Sequence, residues 1–240
     1  MKFRLIIFAL TALLLLSAVS LVSCNGSGGD GKDSMYLFLV NKSNPIDSSY
    51  SPNQLVTVNS GYTTGGKMIE LDKKTAEAAL QMLDAMKQDG ISGVTITSGY
   101  RTYEYQKSLF DRYCSEEKAA HPTWSDEEVK NYVLSYSAYP GTSEHHTGLC
   151  IDLITTEMTG LWNWGSETPN NPYDKGFAET AAFEWLQENA HKYGFILRFP
   201  EDKTNITGYS YESWHYRYVG VNHATKIYEE GITLEEYLGK

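Results

Sequence analysis

The sequence predicts an α+β fold in a single domain, and three observations carry that expectation. The chain has 240 residues, 41% of them hydrophobic and 21% charged, which is enough to build one self-sufficient core. No internal repeat or low-complexity tract interrupts residues 36–239. Helical and extended patterns are intermixed along that stretch without the regular alternation that a doubly wound parallel sheet requires. The formal charge of -10 argues against a broad nucleic-acid-binding face.

The elements follow in order. Asp72 is placed to cap a helix running to Gln88, with Ala76, Leu80, Leu83 and Met86 on one side and Gly90 as its stop. Val94-Thr-Ile-Thr97 reads as a strand that ends at Ser98-Gly-Tyr-Arg101, and a helix follows over Tyr103 to Ser115. Ser125 and Glu128 have the spacing of a capping box for a third helix reaching Leu134. Leu149, Ile151 and Leu153 mark a buried strand. Phe177 to Tyr193 reads as a fourth helix, with Phe183, Leu186 and Ala190 inward and Gly194 behind it. Strands follow at Phe195–Phe199 and around His215 to Val219, then a helix from Ala224 to Glu230 and a capping box at Thr233 and Glu236.

The first residues read as an address. Lys2 and Arg4 precede a short apolar run over residues 5–16, and small residues lead to Leu21-Val22-Ser23-Cys24. An uncleaved anchor is one reading. The preferred one is a lipoprotein signal peptide over residues 1–23, because these four residues resemble a bacterial lipobox with Cys24 as the lipidated residue. Residues 24–35 would then form the lipidated Cys and a flexible tether; its ten polar and glycine-rich residues span about 17 Å as a coil. The expected location is extracytoplasmic, on a bacterial membrane, with the folded domain at residues 36–240. Cys114 and Cys150 remain, and both a disulfide and two buried thiols are open for them.

Two segments carry the chemistry. The first is Ser143-Glu-His145-His-Thr-Gly148-Leu-Cys-Ile-Asp152-Leu, and the second is Glu212-Ser-Trp214-His215-Tyr-Arg217. Asp152 falls inside the apolar strand, where an unpaired carboxylate is expensive, so it needs a cation, a set of donors or a proton. A divalent metal is the strongest such partner, and two imidazoles with one carboxylate match a catalytic zinc that keeps one position open. Taken singly, each segment also reads as ordinary loop or core. Together they supply His145, Asp152 and His215 with a spare acid, Glu212, which suits metal-assisted hydrolysis.

The pattern Ser143-x-His145-x-x-Gly148-x-x-x-Asp152 followed by Glu212-x-Trp214-His215 resembles the VanY-type D-alanyl-D-alanine carboxypeptidases, within the LAS group of zinc metallopeptidases. Ser98-Gly-Tyr-Arg101-Thr-x-x-x-Gln106-x-x-Leu109-Phe and Leu39-Val-Asn-Lys-Ser-Asn-Pro45 are similar to that family as well. The resemblance implies a small, mostly antiparallel sheet flanked by helices, as in hedgehog-type and D-Ala-D-Ala peptidase domains. It implies one Zn2+ per chain on His145, Asp152 and His215, with Glu212 as general base and Arg101 anchoring substrate or stabilising the oxyanion. Gln106 and Ser143 would contact substrate. The implied activity is removal of the C-terminal D-alanine from peptidoglycan stem peptides, by a monomer that binds no nucleic acid. An L,D-carboxypeptidase, a dipeptidase or an endopeptidase of the same fold is the alternative, as is a non-catalytic zinc-containing module that binds cell wall.

This sequence departs from the family pattern at two positions. His146 stands where Gln or Asn is common, and is expected to point away from His145 along an extended chain. Cys150 stands where a small residue is usual; pairing with Cys114 or plain packing is preferred over ligation. His191 is expected to meet helix-terminal carbonyls, and His121 and His223 to lie at the surface. The Asn205-Ile-Thr207 sequon carries no weight in a bacterial lipoprotein, and the irregular run around Trp162 and Trp164 could wall a cleft.

Overall fold

The structure, a computed structural model, describes residues 33–156 and 176–240. The expected signal peptide, Cys24, the expected tether up to residue 32 and the Trp162–Trp164 run lie outside the described residues. Among the described residues no helix is long and apolar enough to cross a membrane.

A two-stranded ribbon, β1 (Leu55–Thr57) with β2 (Glu70–Asp72), leads into α1 (Lys73–Gln88). Asp72 caps α1 by accepting from the amides of Lys74 and Thr75, and Ala76, Ala79, Met82, Leu83 and Met86 form its buried stripe. The stripe is rotated from the expected one, so that Leu80 is only half-buried. The main sheet has four antiparallel strands in the order β3 (Val94–Ser98), β4 (Cys150–Thr155), β6 (Glu212–Tyr218) and β5 (Phe195–Phe199). Strand alternation divides it into two faces. Ile151, Leu153 and Tyr216 join the stripe of α1 and residues Ala182, Phe183 and Leu186 of α4 (Ala181–Asn189) in the main core. Burying one such large side chain contributes about 1.5–3 kcal/mol. Asp152 and His215, directly paired in the register, share the other face.

The bounds of several elements differ from expectation. Helix α2 runs from Tyr103 to Ala120, five residues past Ser115, and ends before His121, whose following proline disfavours helical geometry. It packs against α3 (Asp126–Val133), which has the expected Ser125–Glu128 capping box, around Phe110, Tyr113, Val129 and Val133. The fourth helix is restarted by a Thr180 cap on the Phe183 amide and tightens into a 3-10 turn over Ala190–Tyr193. Strand β6 begins at Glu212 instead of near His215.

The chain continues through a short α5 (Thr204–Thr207) to α6 (Val221–Glu230), which begins three residues before the expected Ala224, and α7 (Leu234–Tyr237), the latter opened by the Thr233–Glu236 capping box. Leu39, Ile196, Val219, Ala224, Ile227 and Leu234 pack there as a second cluster.

Candidate metal centre and active site

His145 lies in a 3-10 turn, Glu144–Thr147, that the chain leaves through Gly148 at φ 69°. A side chain at Gly148 would stand 3.1 Å from the Asp72 amide nitrogen, so both the left-handed backbone and the close approach require glycine. The turn feeds directly into β4, which carries Asp152 to the position opposite His215 on β6. Three residues separated by up to 70 positions are thereby brought together.

His145 Nδ1 donates to the Gly99 carbonyl at 2.6 Å, which leaves Nε2 with a lone pair facing Asp152 Oδ2 at 3.2 Å. The other carboxylate oxygen is 2.9 Å from His215 Nδ1. Glu212 Oε2 is 3.6 Å from that same nitrogen. A lone pair against a carboxylate at such range is repulsive unless a proton or a metal cation lies between them. With protons alone, burial and Arg101 act to lower the pKa of His145 but Asp152 outweighs them, raising it to about 9. Burial likewise opposes a charged His215, yet Cys150, Asp152 and Glu144 hold its pKa well above the usual range. Burial would raise the pKa of Asp152, and the two imidazoles hold it far down instead. A divalent ion supplies the same positive charge without protons. Metal–ligand bonds of about 2.0–2.1 Å at tetrahedral angles place donors about 3.3 Å apart, close to the separations found here. Imidazole nitrogens and a carboxylate are donors that zinc takes, and each imidazole stands at such a separation from one carboxylate oxygen.

Burial pushes the Glu212 carboxyl up to about 7, with His215 pulling the other way. Arg101 enters from the loop after β3. Its Nε and Nη2 donate to Ser98 Oγ at 3.1 and 2.9 Å, Nη1 to Gln106 Oε1 at 3.3 Å, and Nη2 also to Asp152 Oδ2 at 3.3 Å. Gln106 is 1% exposed and spends its amide group on the Ala138 carbonyl, so it stands behind Arg101 and not on the cleft wall. Ser143 lies on that wall. The cleft has a volume of about 900 Å³, with Tyr100, Tyr209, Tyr211 and Trp214 among its lining.

His146 is separated from the cluster by bonding and not by strand alternation, since the segment is a turn. Its Nδ1 donates to the Arg101 carbonyl at 2.8 Å and Nε2 accepts from the Gly141 amide at 3.1 Å, so neither nitrogen is free for a metal. Cys114, half-buried, and Cys150, fully buried, are both free thiols; no disulfide joins them. Cys150 is not merely packed: its Sγ and one nitrogen of each of His145 and His215 lie within 4.8 Å of one another. Burial would raise its pKa, but the two histidines bring it down to about 7. The remaining histidines lie elsewhere. His191 stacks on Tyr228 at 3.9 Å instead of meeting carbonyls, His121 stacks on Trp124 at 3.8 Å, and His223 Nδ1 bonds the Tyr237 hydroxyl at 2.8 Å.

A buried ionic network beneath the site has no counterpart in the sequence reading. Glu144 Oε1 accepts from Arg198 Nε and Arg217 Nη1, each at 2.8 Å, while its Oε2 stands 3.6 Å from His215 Nε2. Arg198 also makes a two-pronged pair with Glu235 at 2.8 and 2.6 Å, and Asn41 donates to Glu235 at 3.0 Å. Arg217 Nη2 reaches the carbonyls of Tyr36 and Phe38 at 2.9 and 2.7 Å. The available signal was a charged residue inside an apolar strand: Arg198 in Phe-Ile-Leu-Arg-Phe, and Arg217 two positions after His215 on the same face.

Comparison with known proteins places this geometry. The family profile "VanY: D-alanyl-D-alanine carboxypeptidase" matches residues 68–221. A D-alanyl-D-alanine carboxypeptidase of Enterococcus faecalis is 37% identical over 202 residues, covering 84% of this chain and 65% of the relative, so the chain spans just under two thirds of that protein. A mutant of the vancomycin-resistance D,D-pentapeptidase VanY from a VanB-type cassette, solved with Zn(II), is 36% identical with a TM-score of 0.64, over 85% of this chain and 98% of that one. The LD-carboxypeptidase LdcB, solved to explain peptidoglycan recognition, is 34% identical with a TM-score of 0.69, over 88% of both chains. With its two signature segments folded around one buried cluster and the profile covering most of its length, this chain belongs to the VanY D-alanyl-D-alanine carboxypeptidase family.

Proposed function

We propose that the protein is an extracytoplasmic, zinc-dependent carboxypeptidase that removes the C-terminal D-alanine from peptidoglycan stem peptides. The observation that carries this reading is the convergence of His145 and His215 on the two oxygens of Asp152, at 3.2 and 2.9 Å, with the Glu212 carboxylate 3.6 Å from His215. Zinc, when held by these three side chains, supplies a Lewis acid for the scissile carbonyl and lowers the pKa of water. Glu212 takes the proton from the attacking water and hands it to the departing amine, a role its carboxylate 3.6 Å from His215 is placed for. Arg101, fixed by Ser98 and Gln106, directs its guanidinium toward the charge that develops on the carbonyl oxygen. Gln106 acts through Arg101, and Ser143 offers a hydroxyl to the peptide from the cleft wall. The cleft of about 900 Å³ accommodates more than a free dipeptide, which favours a peptide still joined to its stem. Lipidation at Cys24 would hold the domain beside the membrane that faces this substrate.

The likeness to LdcB favours a second reading, cleavage of an L,D bond in a tetrapeptide stem. Incubating the purified protein with pentapeptide and tetrapeptide stems, with and without a chelator, and weighing the products by mass spectrometry separates them. Loss of terminal alanine from the pentapeptide alone, abolished by chelation, is the expected result. Chelator-insensitive cleavage, or no cleavage of either peptide, would refute the assignment.

A further inference from the structure

Cys150 is the first residue of β4 and is wholly buried. It lies two positions before Asp152, so strand alternation puts thiol and carboxylate on one face of the sheet. Its Sγ and a nitrogen from each of His145 and His215 fall within 4.8 Å of one another. Nε2 of the His215 ring is buried with Glu144 Oε2 3.6 Å away, beyond hydrogen-bond range. A zinc–sulfur bond of about 2.3 Å and zinc–nitrogen bonds of about 2.0–2.1 Å place sulfur and nitrogen about 3.6 Å apart. A side-chain adjustment of roughly 1 Å therefore closes the largest gap this cluster can contain.

We propose that Cys150 is a metal ligand of this chain: His145, Cys150 and His215 form a donor set that shares both imidazoles with His145, Asp152 and His215, and that set takes thiophilic ions. The proposal rests on the zinc reading above and extends it to the choice of metal. Thiolates favour softer ions and carboxylates harder ones. Asp152 is then the third donor for a harder ion and Cys150 for a softer one, and either set of three leaves a position open. Ligation exchanges the S–H bond for a sulfur–metal bond and releases the proton to solvent, with no oxidant or reductant involved.

The test uses the metal-stripped full chain, titrated separately with Zn(II) and Cd(II), with bound metal counted by elemental analysis and cadmium followed by ultraviolet difference absorption. The wild type is expected to bind one ion of either kind and to show a sulfur-to-cadmium charge-transfer band. Cys150→Ala is expected to bind zinc stoichiometrically but to lose that band, as is Cys150→Ser, which retains the side-chain size if the alanine variant folds poorly. Stoichiometric binding by the wild type without the band, or a band that survives in both variants, overturns the proposal and leaves the zinc centre standing. Failure of the wild type to bind zinc at all overturns both.

Discussion

Replacing Glu144 by Gln tests the buried network through a change of charge at nearly constant shape. The Glu144 side chain is 2% exposed, and the Arg198 and Arg217 side chains that donate to it are 0% exposed. Glu144 and Glu235 balance Arg198 and Arg217, so the substitution leaves one buried positive charge uncompensated. Removing one partner of a buried pair costs about 3–5 kcal/mol. The lower end applies here, because Arg198 keeps both oxygens of Glu235 and Arg217 keeps the carbonyls of Tyr36, Phe38 and Tyr218. The amide also fits badly on its other side. His215 Nδ1 donates to Asp152 Oδ1 at 2.9 Å, and because the ring's pKa is held well above the usual range its Nε2 is protonated as well and faces Glu144 Oε2 at 3.6 Å. A Gln must aim its NH2 either at that N–H or at the two guanidinium groups. In urea denaturation of metal-stripped protein, with a slope of about 2 kcal/mol/M, a 3 kcal/mol loss moves the midpoint down by about 1.5 M. Zinc affinity, measured by competition with a chelator, should fall about 10–100-fold because His215 loses its orienting partner. A midpoint within about 0.3 M of wild type would refute the claim that Glu144 compensates the buried arginines.

Three further outcomes are expected. Glu212→Ala should keep one zinc per chain by elemental analysis while kcat falls about 10²–10⁴-fold; full activity would remove it from the mechanism. Arg101→Lys should also retain zinc but lower kcat/KM at least ~10-fold, since a single ammonium cannot replace guanidinium bonds to Ser98, Gln106 and Asp152 together. Gly148→Ala should destabilise the fold by about 1–3 kcal/mol in the same denaturation assay, because φ is 69° and the added carbon meets the Asp72 amide.

Local signals in the sequence located the starts of α1, α3 and α7, because a cap is a contact between residues two or three apart: Asp72 with Lys74 and Thr75, Ser125 with Glu128, Thr233 with Glu236. Helix ends were harder. The prolongation of α2 rests on side chains such as the Arg112–Glu116 pair and on Tyr136, which reaches back from beyond α3 to Glu117. The apolar run over Leu149, Ile151 and Leu153 made Asp152 conspicuous, and the resemblance of the two segments to the family pattern singled out His145, His215 and Glu212 as its company. What surrounds them was not legible, since Glu144 meets Arg198 and Arg217 across 54 and 73 positions. No periodicity encodes such pairings. The proximity of Cys150 to the histidines arises similarly, from the antiparallel register of β4 with β6 and from the turn that carries His145 back over them.

The anchoring of Arg217 to the carbonyls of Tyr36 and Phe38 has a mechanical consequence. Those carbonyls lie at the very start of the described chain, and Arg217 is two residues from His215 on the same strand. If Cys24 is lipidated as proposed, a pull arriving along the backbone is passed through these two hydrogen bonds to the strand that presents the histidine. Trimming the chain past Phe38 is therefore expected to slacken the strand that carries His215 itself.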